Sequence, residues 1–75
     1  MAKRSVRIAG HPTSVSLEPE FWVQLKLLAA ARGLSLNALI TEIDAQRNGA
    51  LSSSLRVFVL RALEDQLAER QGRRH

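Results

Sequence analysis

One short stretch limits the fold of this chain more than any other. In it, Thr13, Val15 and Leu17 alternate with Ser14 and Ser16, and a period of two is typical of a β-strand with one buried face. The residues that follow have helical patterns, yet a strand cannot satisfy its own backbone N–H and C=O groups. The pattern therefore predicts a partner strand, either in this chain or in a second copy of it.

Two helices are predicted directly after the strand. The first starts at Pro19, whose missing N–H costs nothing at the first helical position, and ends near Gly33. The second has Ser35 as its N-cap, and its apolar residues fall at the i, i+3, i+4, i+7 spacing of one helix face. Because the first helix is apolar on nearly all sides, nearly all of it must be buried. A monomer of 75 residues offers little material for that.

A third helix is predicted over residues 52–69, with Ser52 or Ser53 as its N-cap. Arginines at positions 70, 73 and 74 follow in its last turn and beyond. The chain therefore divides into four parts: a basic N-terminal arm (1–11), a strand–helix–helix core (12–48), an additional C-terminal helix (49–70) and a basic tail (71–75).

Two partners can satisfy the predicted strand. Residues 4–9 also alternate apolar and polar side chains, so they can form a hairpin with 13–17 across 10–12. The other partner is the same strand of a second copy, in a two-fold arrangement. A dimer would also cover the first helix, so we expect a mainly α fold with one short β-strand, built as an intertwined homodimer around a two-stranded antiparallel intermolecular ribbon. The apolar side chains expected in its core are Val15, Leu17, Trp22, Leu25, Leu28, Leu39, Ile40 and Ile43.

The charge of the chain favours an acidic partner. Lys and Arg number 11 against 7 Asp and Glu, which gives a net charge of +4 and a pI near 11.2. Three of the cations, Lys3, Arg4 and Arg7, lie in the predicted arm, which contains no acid. This balance makes nucleic acid the leading candidate partner. A two-stranded antiparallel ribbon has the width to enter the major groove of double-stranded DNA.

Several other function classes find no support in the sequence. The chain has no cysteine, and its two histidines, His11 and His75, lie near opposite ends, so we expect no metal site. It has no Gly-rich phosphate loop and no nucleophile beside a base, so we expect no enzyme activity and no cofactor. No apolar run approaches the roughly 18 residues of a membrane span, and no signal peptide is evident. We therefore expect a cytoplasmic protein without a membrane partner.

The order of elements resembles the ribbon-helix-helix DNA-binding proteins. The resemblance covers residues 12 to about 46, and its most specific part is the alternating strand followed at the right distance by GLSLNALI at 33–40. The stretch LSSSLRVFVL at 51–60 is similar to the C-terminal part of a bacterial subgroup of that family. The resemblance implies a homodimeric, sequence-specific transcriptional regulator, a repressor or autoregulator, that inserts its ribbon in the DNA major groove.

The resemblance also implies which residues contact DNA. In the family, outward strand side chains read bases, which maps onto Pro12, Ser14 and Ser16. The N-terminal backbone of the second helix grips a phosphate, which maps onto Ser35, Leu36 and Asn37. The physics agrees, because a helix N-terminus offers unpaired N–H groups and the positive end of the dipole.

The outward strand residues depart from the family pattern. Many members carry Arg, Lys, Asn or Gln there, and each bidentate contact to a base gives about 1–3 kcal/mol of discrimination. Serine and proline give less, so direct base readout is predicted to be weak, or to be supplied by the arm. The additional C-terminal helix motivates an alternative, a protein-interaction module such as an antitoxin that grips a toxin, or an adaptor.

Overall fold

Within the described residues, 1–46 and 49–72, the computed structural model contains two strands followed by three helices. In chain order they are β1 (Ala2–Ile8), β2 (His11–Leu17), α1 (Pro19–Ala31), α2 (Leu36–Ala45) and α3 (Leu51–Gly72). The strands form one antiparallel sheet, and the helices pack against one face of it and against one another.

The partner of the predicted strand is β1 of the same chain. The two strands pair over their whole length, from Ala2 opposite Leu17 to Ile8 opposite His11. The prediction of one strand is therefore wrong, and the predicted basic arm forms the second strand. Of the two pairings weighed from the sequence, the structure has the hairpin, and an intertwined homodimer stays a prediction.

The hairpin turn lies at Ala9-Gly10 and not across residues 10–12 as expected. Both residues have positive φ, 51° and 81°, which defines a two-residue type I′ turn. This turn matches the twist of the flanking strands. Pro12 consequently lies inside β2, opposite Arg7, at a position where the missing N–H breaks no ladder bond.

The core is complete within one chain. Seven of the eight residues expected in a dimer core are buried and Ile43 is half-buried, but their cover comes from this chain's own elements. Val6 on β1 closes one side, and Leu55 and Val59 on α3 close another. Part of the burial that we expected from a second copy is thus supplied by β1 and α3. A role for these residues between two chains stays a prediction.

The ends of α1 and α2 follow the sequence. Pro19 is the first residue of α1, and the N–H groups of Gly33 and Leu34 donate to carbonyls of the last turn at 3.1 and 2.9 Å, a Schellman motif that needs the left-handed Gly33 (φ 69°). Ser35 caps α2 by accepting the Ala38 N–H at 3.0 Å.

The start of α3 differs from the prediction. The helix begins at Leu51, and the Ala50 carbonyl accepts the Ser54 N–H at 3.1 Å, so Ser52 and Ser53 lie in the first turn and neither is the N-cap. Leu51 packs against the core, and the helix starts there, one residue earlier than predicted. The helix also ends later than the predicted 69–70, at Gly72. Positions 73–75 of the predicted tail lie outside the described residues.

Some apolar side chains remain exposed. Val23 and Leu27 on α1 are 54% and 59% exposed, so α1 is not buried nearly all round as its composition led us to expect. On α3, Leu60, Leu63 and Leu67 are exposed along one side of the helix. Among the described helices, none alone is long and apolar enough to cross a membrane; α1 and α2 pass that test only together, across a 96° bend.

Candidate nucleic-acid interface

The outer face of the β1–β2 ribbon gathers most of the residues predicted to contact DNA. Successive side chains of a strand alternate between faces, and the register pairs Lys3 with Ser16, Ser5 with Ser14 and Arg7 with Pro12. All six side chains are exposed, on the face opposite the core. We call them the outer face. It carries two cations, no acid, and otherwise only short side chains.

Arg4 is not part of the outer face. Its position on β1 turns it to the core side of the ribbon, where its guanidinium lies 5.4 Å from the centre of the Trp22 ring in a cation–π contact. The same indole donates its N–H to the Ala2 carbonyl at 2.8 Å, which fixes the start of β1 to α1. The three cations of the predicted arm therefore divide into Lys3 and Arg7 on the outer face and Arg4 over Trp22.

The first turn of α2 lies beside the ribbon. The Asn37 side chain accepts the Arg7 backbone N–H and donates to the Arg7 carbonyl, both at 2.8 Å. Within the described part of the chain, no hydrogen-bond acceptor is found for the backbone N–H groups of Leu36 and Asn37. The bond to Arg7 thus brings the α2 N-terminus next to the Arg7 end of the outer face. That N-terminus offers the two unpaired N–H groups and the positive end of the helix dipole.

The two edges of the ribbon differ. Arg7 directs both backbone groups away from β2, since Pro12 opposite has no N–H and Asn37 takes both groups. Such outward positions recur at every second residue of an antiparallel pair, so the backbone groups of Ser14 and Ser16 also point outward, from β2. Within residues 1–46 and 49–72, nothing hydrogen-bonds to that edge. The β1 edge is closed at Arg7, and the β2 edge is open.

Two further polar contacts shape the ends of the ribbon. At the turn, the Arg7 side chain donates to the Gly10 carbonyl at 3.3 Å, which holds the guanidinium over the hairpin tip. After β2, Glu18 accepts from Arg56 on α3 at 2.9 Å. Hydrogen bonds from the Glu18 backbone N–H and then from Arg56 hold the pKa of the Glu18 carboxyl below its ordinary value.

Sequence reasoning missed one residue of the outer face and misplaced another. Ser5 belongs to it, and the signal was available in the alternation of Val6 and Ile8 with polar neighbours, which the basic residues of the segment obscured. Arg4 was grouped with Lys3 and Arg7 by charge alone, although its even position in the strand turns it to the core side. Among the described residues, no group of three or more His, Cys, Asp or Glu side chains could hold a metal ion.

Comparison with known proteins identifies the family. A family model described as a ribbon-helix-helix domain matches residues 1–63, so the match includes β1 and most of the core-facing part of α3 as well as the strand and two helices of the predicted core. Curated proteins gave no match to the chain. Solved structures gave none either. With 63 of its 75 residues matched, the chain belongs to the ribbon-helix-helix domain family.

Proposed function

We propose that this protein is a homodimeric, sequence-specific DNA-binding transcriptional regulator, a repressor or autoregulator of the bacterial cytoplasm, and that its outer face lies in the major groove. Ribbon-helix-helix domains in general bind DNA and dimerise. The observation that carries the proposal is the composition of the outer face, which has two cations and no acid on a two-stranded antiparallel ribbon. An antiparallel β-ribbon has the width that the major groove admits.

The open edge of β2 supports the two-fold pairing expected from the sequence. Two copies can join by antiparallel pairing of β2 with β2, because the outward backbone groups of Ser14 and Ser16 complement those of the same strand in a second copy. The intermolecular ribbon then forms the middle of a four-stranded sheet, with one β1 on each side. The β1 edge is a poor alternative, since Asn37 occupies it at Arg7.

The dimensions of this sheet assign different DNA contacts to its strands. Neighbouring strands lie about 4.8 Å apart, so the two β1 strands would be about 14 Å apart, close to the roughly 12 Å width of the major groove. The two β2 strands then lie over the base edges with Pro12, Ser14 and Ser16. The β1 strands lie along the groove walls, where Lys3 and Arg7 can reach the phosphates. Long cations stand on the outer strands and short side chains on the inner strands, as this arrangement requires.

The first turn of α2 supplies a second phosphate contact. The backbone N–H groups of Leu36 and Asn37 are available, and the Ser35 cap holds the turn in helical form. The bond between Asn37 and Arg7 keeps this turn close to the proposed groove wall. In the proposed complex, Arg7 and the α2 N-terminus thus contact neighbouring phosphates, and Arg4, over Trp22, takes no part.

A matched pair of charge substitutions tests the proposal. Ser16→Glu puts a carboxylate on the outer face, and we expect it to abolish DNA binding while leaving the dimer intact. Ser53→Glu makes the same change of net charge at an exposed position in the first turn of α3, away from the ribbon, and should bind like the wild type. Normal binding by Ser16→Glu would show that the outer face does not meet DNA.

Fluorescence anisotropy measures both the binding and its specificity. The duplex flanking the protein's own gene is compared with a scrambled duplex of equal length at several salt concentrations. We expect saturable preference for the native duplex, with affinity falling as salt rises and a log–log slope of magnitude about 0.9 per phosphate contacted. Weak and equal binding to both duplexes would contradict a sequence-specific regulator and leave only the general attraction of a basic protein.

A second candidate function rests on α3. Leu60, Leu63 and Leu67 are exposed on one side of it, and an open groove of about 390 Å³ with an almost wholly apolar lining lies between this side and Phe21 of α1. Such a surface suits a protein partner, a toxin or another protein, bound through the C-terminal helix. A DNA-binding dimer and a partner-binding helix are compatible in one protein.

The double substitution Leu60→Gln with Leu67→Gln tests this second function without disturbing the core, because both side chains are more than half exposed. If α3 holds a partner, a protein that copurifies with the wild type at fixed stoichiometry is lost while DNA binding persists. If the variant becomes a monomer instead, the leucines belong to the dimer. Truncation after position 48 is unsuitable, since it would remove Leu55 and Val59 from the core.

A further inference from the structure

The contact between Asn37 and Arg7 has an unusual form. One carboxamide both accepts the backbone N–H and donates to the backbone C=O of the same strand residue, each at 2.8 Å. A carboxamide carries the donor and the acceptor that a neighbouring strand would offer at this position. The Asn37 side chain therefore stands in for a missing third strand at one point of the β1 edge.

We call the two hydrogen bonds between the Asn37 side chain and the Arg7 backbone the clasp. Its position couples two separate parts of the proposed interface. Asn37 is the second residue of α2, in the turn whose N–H groups are available to a phosphate, and Arg7 presents its side chain on the outer face. The two residues are 30 positions apart in the chain. The remaining contacts between α2 and β1 are made largely by apolar side chains, which attract without fixing direction.

We propose that Asn37 is a positioning residue for DNA binding, an inference that rests on the proposed function. The clasp fixes the distance between the α2 N-terminus and the groove-wall cation Arg7, so that both reach phosphates of one DNA strand at once. It also closes the β1 edge, so that the sheet grows only at β2 and the assembly stops at a dimer. Asn37 acts through its side-chain amide, in addition to the backbone role expected for its N–H.

The other bonds of this turn can be separated from the clasp. Thr41 donates to the Asn37 carbonyl and Ser35 accepts from Ala38, and neither bond uses the Asn37 side chain. Asn37→Ala therefore removes the clasp alone, and alanine favours helix more than asparagine does. Thr41→Ala is the matched control, because it removes the bond from the Thr41 hydroxyl to the Asn37 carbonyl in the same part of α2 but leaves the clasp in place.

Hydrogen exchange, light scattering and DNA titration together test the inference. In Asn37→Ala we expect the Arg7 amide to exchange at least tenfold faster, and a population larger than the dimer to appear as β1 edges pair. We expect affinity for native and scrambled duplex to fall together, with the salt slope reduced by about 1.8, one phosphate per protomer. Thr41→Ala should keep Arg7 protection, the dimer and the salt slope.

The outcomes separate this inference from the function on which it rests. If the wild type binds DNA and Asn37→Ala binds with an unchanged slope, the positioning role is wrong and the proposed function stands. An Arg7 amide that stays protected in the variant would likewise overturn the clasp. If the wild type does not bind DNA, both the proposed function and the positioning role are wrong, and Arg7 exchange and particle size then report only on the closing of the edge.

Discussion

The two edges of the ribbon come from strands of equal length, but they differ in whether their outward backbone groups are hydrogen-bonded. On the β1 side, Asn37 bonds to both outward backbone groups of Arg7 and closes the edge at that residue. On the β2 side, the outward backbone groups of Ser14 and Ser16 have no partner among the described residues. Proteins usually cover or disrupt exposed edges, because an open edge invites another strand. An edge closed at Arg7 and an open β2 edge favour the single two-fold contact that we propose.

The two strands also differ in the side chains that they present on the outer face. β1 carries Lys3 and Arg7 on the outer face, and β2 carries only serine and proline there. In the proposed dimer, the closed strand lies outside and meets phosphates, whereas the open strand lies inside and meets bases. In that proposed dimer, the difference between the edges decides both how the chains associate and which strand can read sequence.

Blocking the open edge should have the largest effect. Ser14→Pro removes an outward N–H from β2 without breaking a ladder bond of the hairpin, because that N–H does not face β1. Each dimer then loses two hydrogen bonds and leaves two acceptors unpaired, which costs roughly 2–6 kcal/mol in total. We expect the dimer dissociation constant to rise by at least about 30-fold. Sedimentation equilibrium should show a species of 8.3 kDa.

The matched substitution on the other strand is Ser5→Pro. Ser5 lies opposite Ser14 and also directs its N–H away from its partner, but from β1, whose edge Asn37 closes at Arg7. We expect this variant to remain a dimer. A monomer produced by both prolines would mean that proline damages the hairpin itself, and a dimer retained by both would place the dimer contact away from the sheet edges.

Removing one cation from the outer strand should have a smaller and nonspecific effect. Arg7→Ala loses one phosphate contact per protomer, so we expect affinity for native and scrambled duplex to fall in parallel and the salt slope to decrease by about 1.8. Ser16→Ala on the inner strand should reduce the preference for the native duplex with no change in slope. Anisotropy titrations of both variants at several salt concentrations check this division, which a specificity change in Arg7→Ala would contradict.

The sequence predicted β2, α1 and α2 because each has a pattern of its own. Period-two alternation marks β2, and Pro19, Gly33 and Ser35 mark helix ends through local backbone chemistry. The existence of α3 followed from its apolar spacing in the same way. These features depend on a few neighbouring residues, so a single sequence carries them, and the family membership they indicated is confirmed.

The parts that were missed depend on contacts over a distance. The alternation in β1 is interrupted by Arg4, whose position in the strand turns it to the core side, where the distant Trp22 offers an aromatic face to its guanidinium. The turn depends on Ala9 in the left-handed region, which no pattern predicts for alanine. The clasp joins Asn37 to Arg7 across 30 positions, and nothing near Asn37 in the sequence shows it.

The hairpin turn offers a way to strengthen β1 relative to β2. Ala9 has φ 51°, a conformation that costs an L-residue about 1 kcal/mol and that asparagine tolerates better. Asn followed by Gly is the preferred pair for a type I′ turn. We therefore expect Ala9→Asn to stabilise the fold by about 0.5–1 kcal/mol, seen as a higher urea midpoint with an unchanged slope. Gly10→Ala puts a side chain at φ 81° and should lower the urea midpoint. If both substitutions shifted the midpoint in the same direction, the turn would not be of type I′.

The smallest expected effect is on the pH dependence of stability. It arises because the hydrogen bonds that hold β1 are neutral, whereas the one after β2 joins two charged groups. The bonds of Asn37 and Trp22 are made by neutral groups, whereas Glu18, just after β2, binds Arg56 as an ion at 2.9 Å. The pKa of Glu18 is lowered in the folded chain, first by its own backbone N–H and then by Arg56. Its contribution to stability is therefore present above the carboxyl's unfolded pKa, near 4.3, and is lost as the pH falls through the lower folded value.

Urea unfolding between about pH 6 and pH 3 measures this contribution, and Glu18→Gln should show a flatter loss of stability over the acid end than the wild type. Glu20→Gln removes an exposed carboxylate two residues along the chain and serves as the control for net charge. The side chain of Glu18 is 41% exposed, so the difference between the two variants should be small. If the two variants have the same pH profile, the bond to Arg56 does not stabilise the β2 side, and apolar packing against Leu55 and Val59 alone holds that strand to α3.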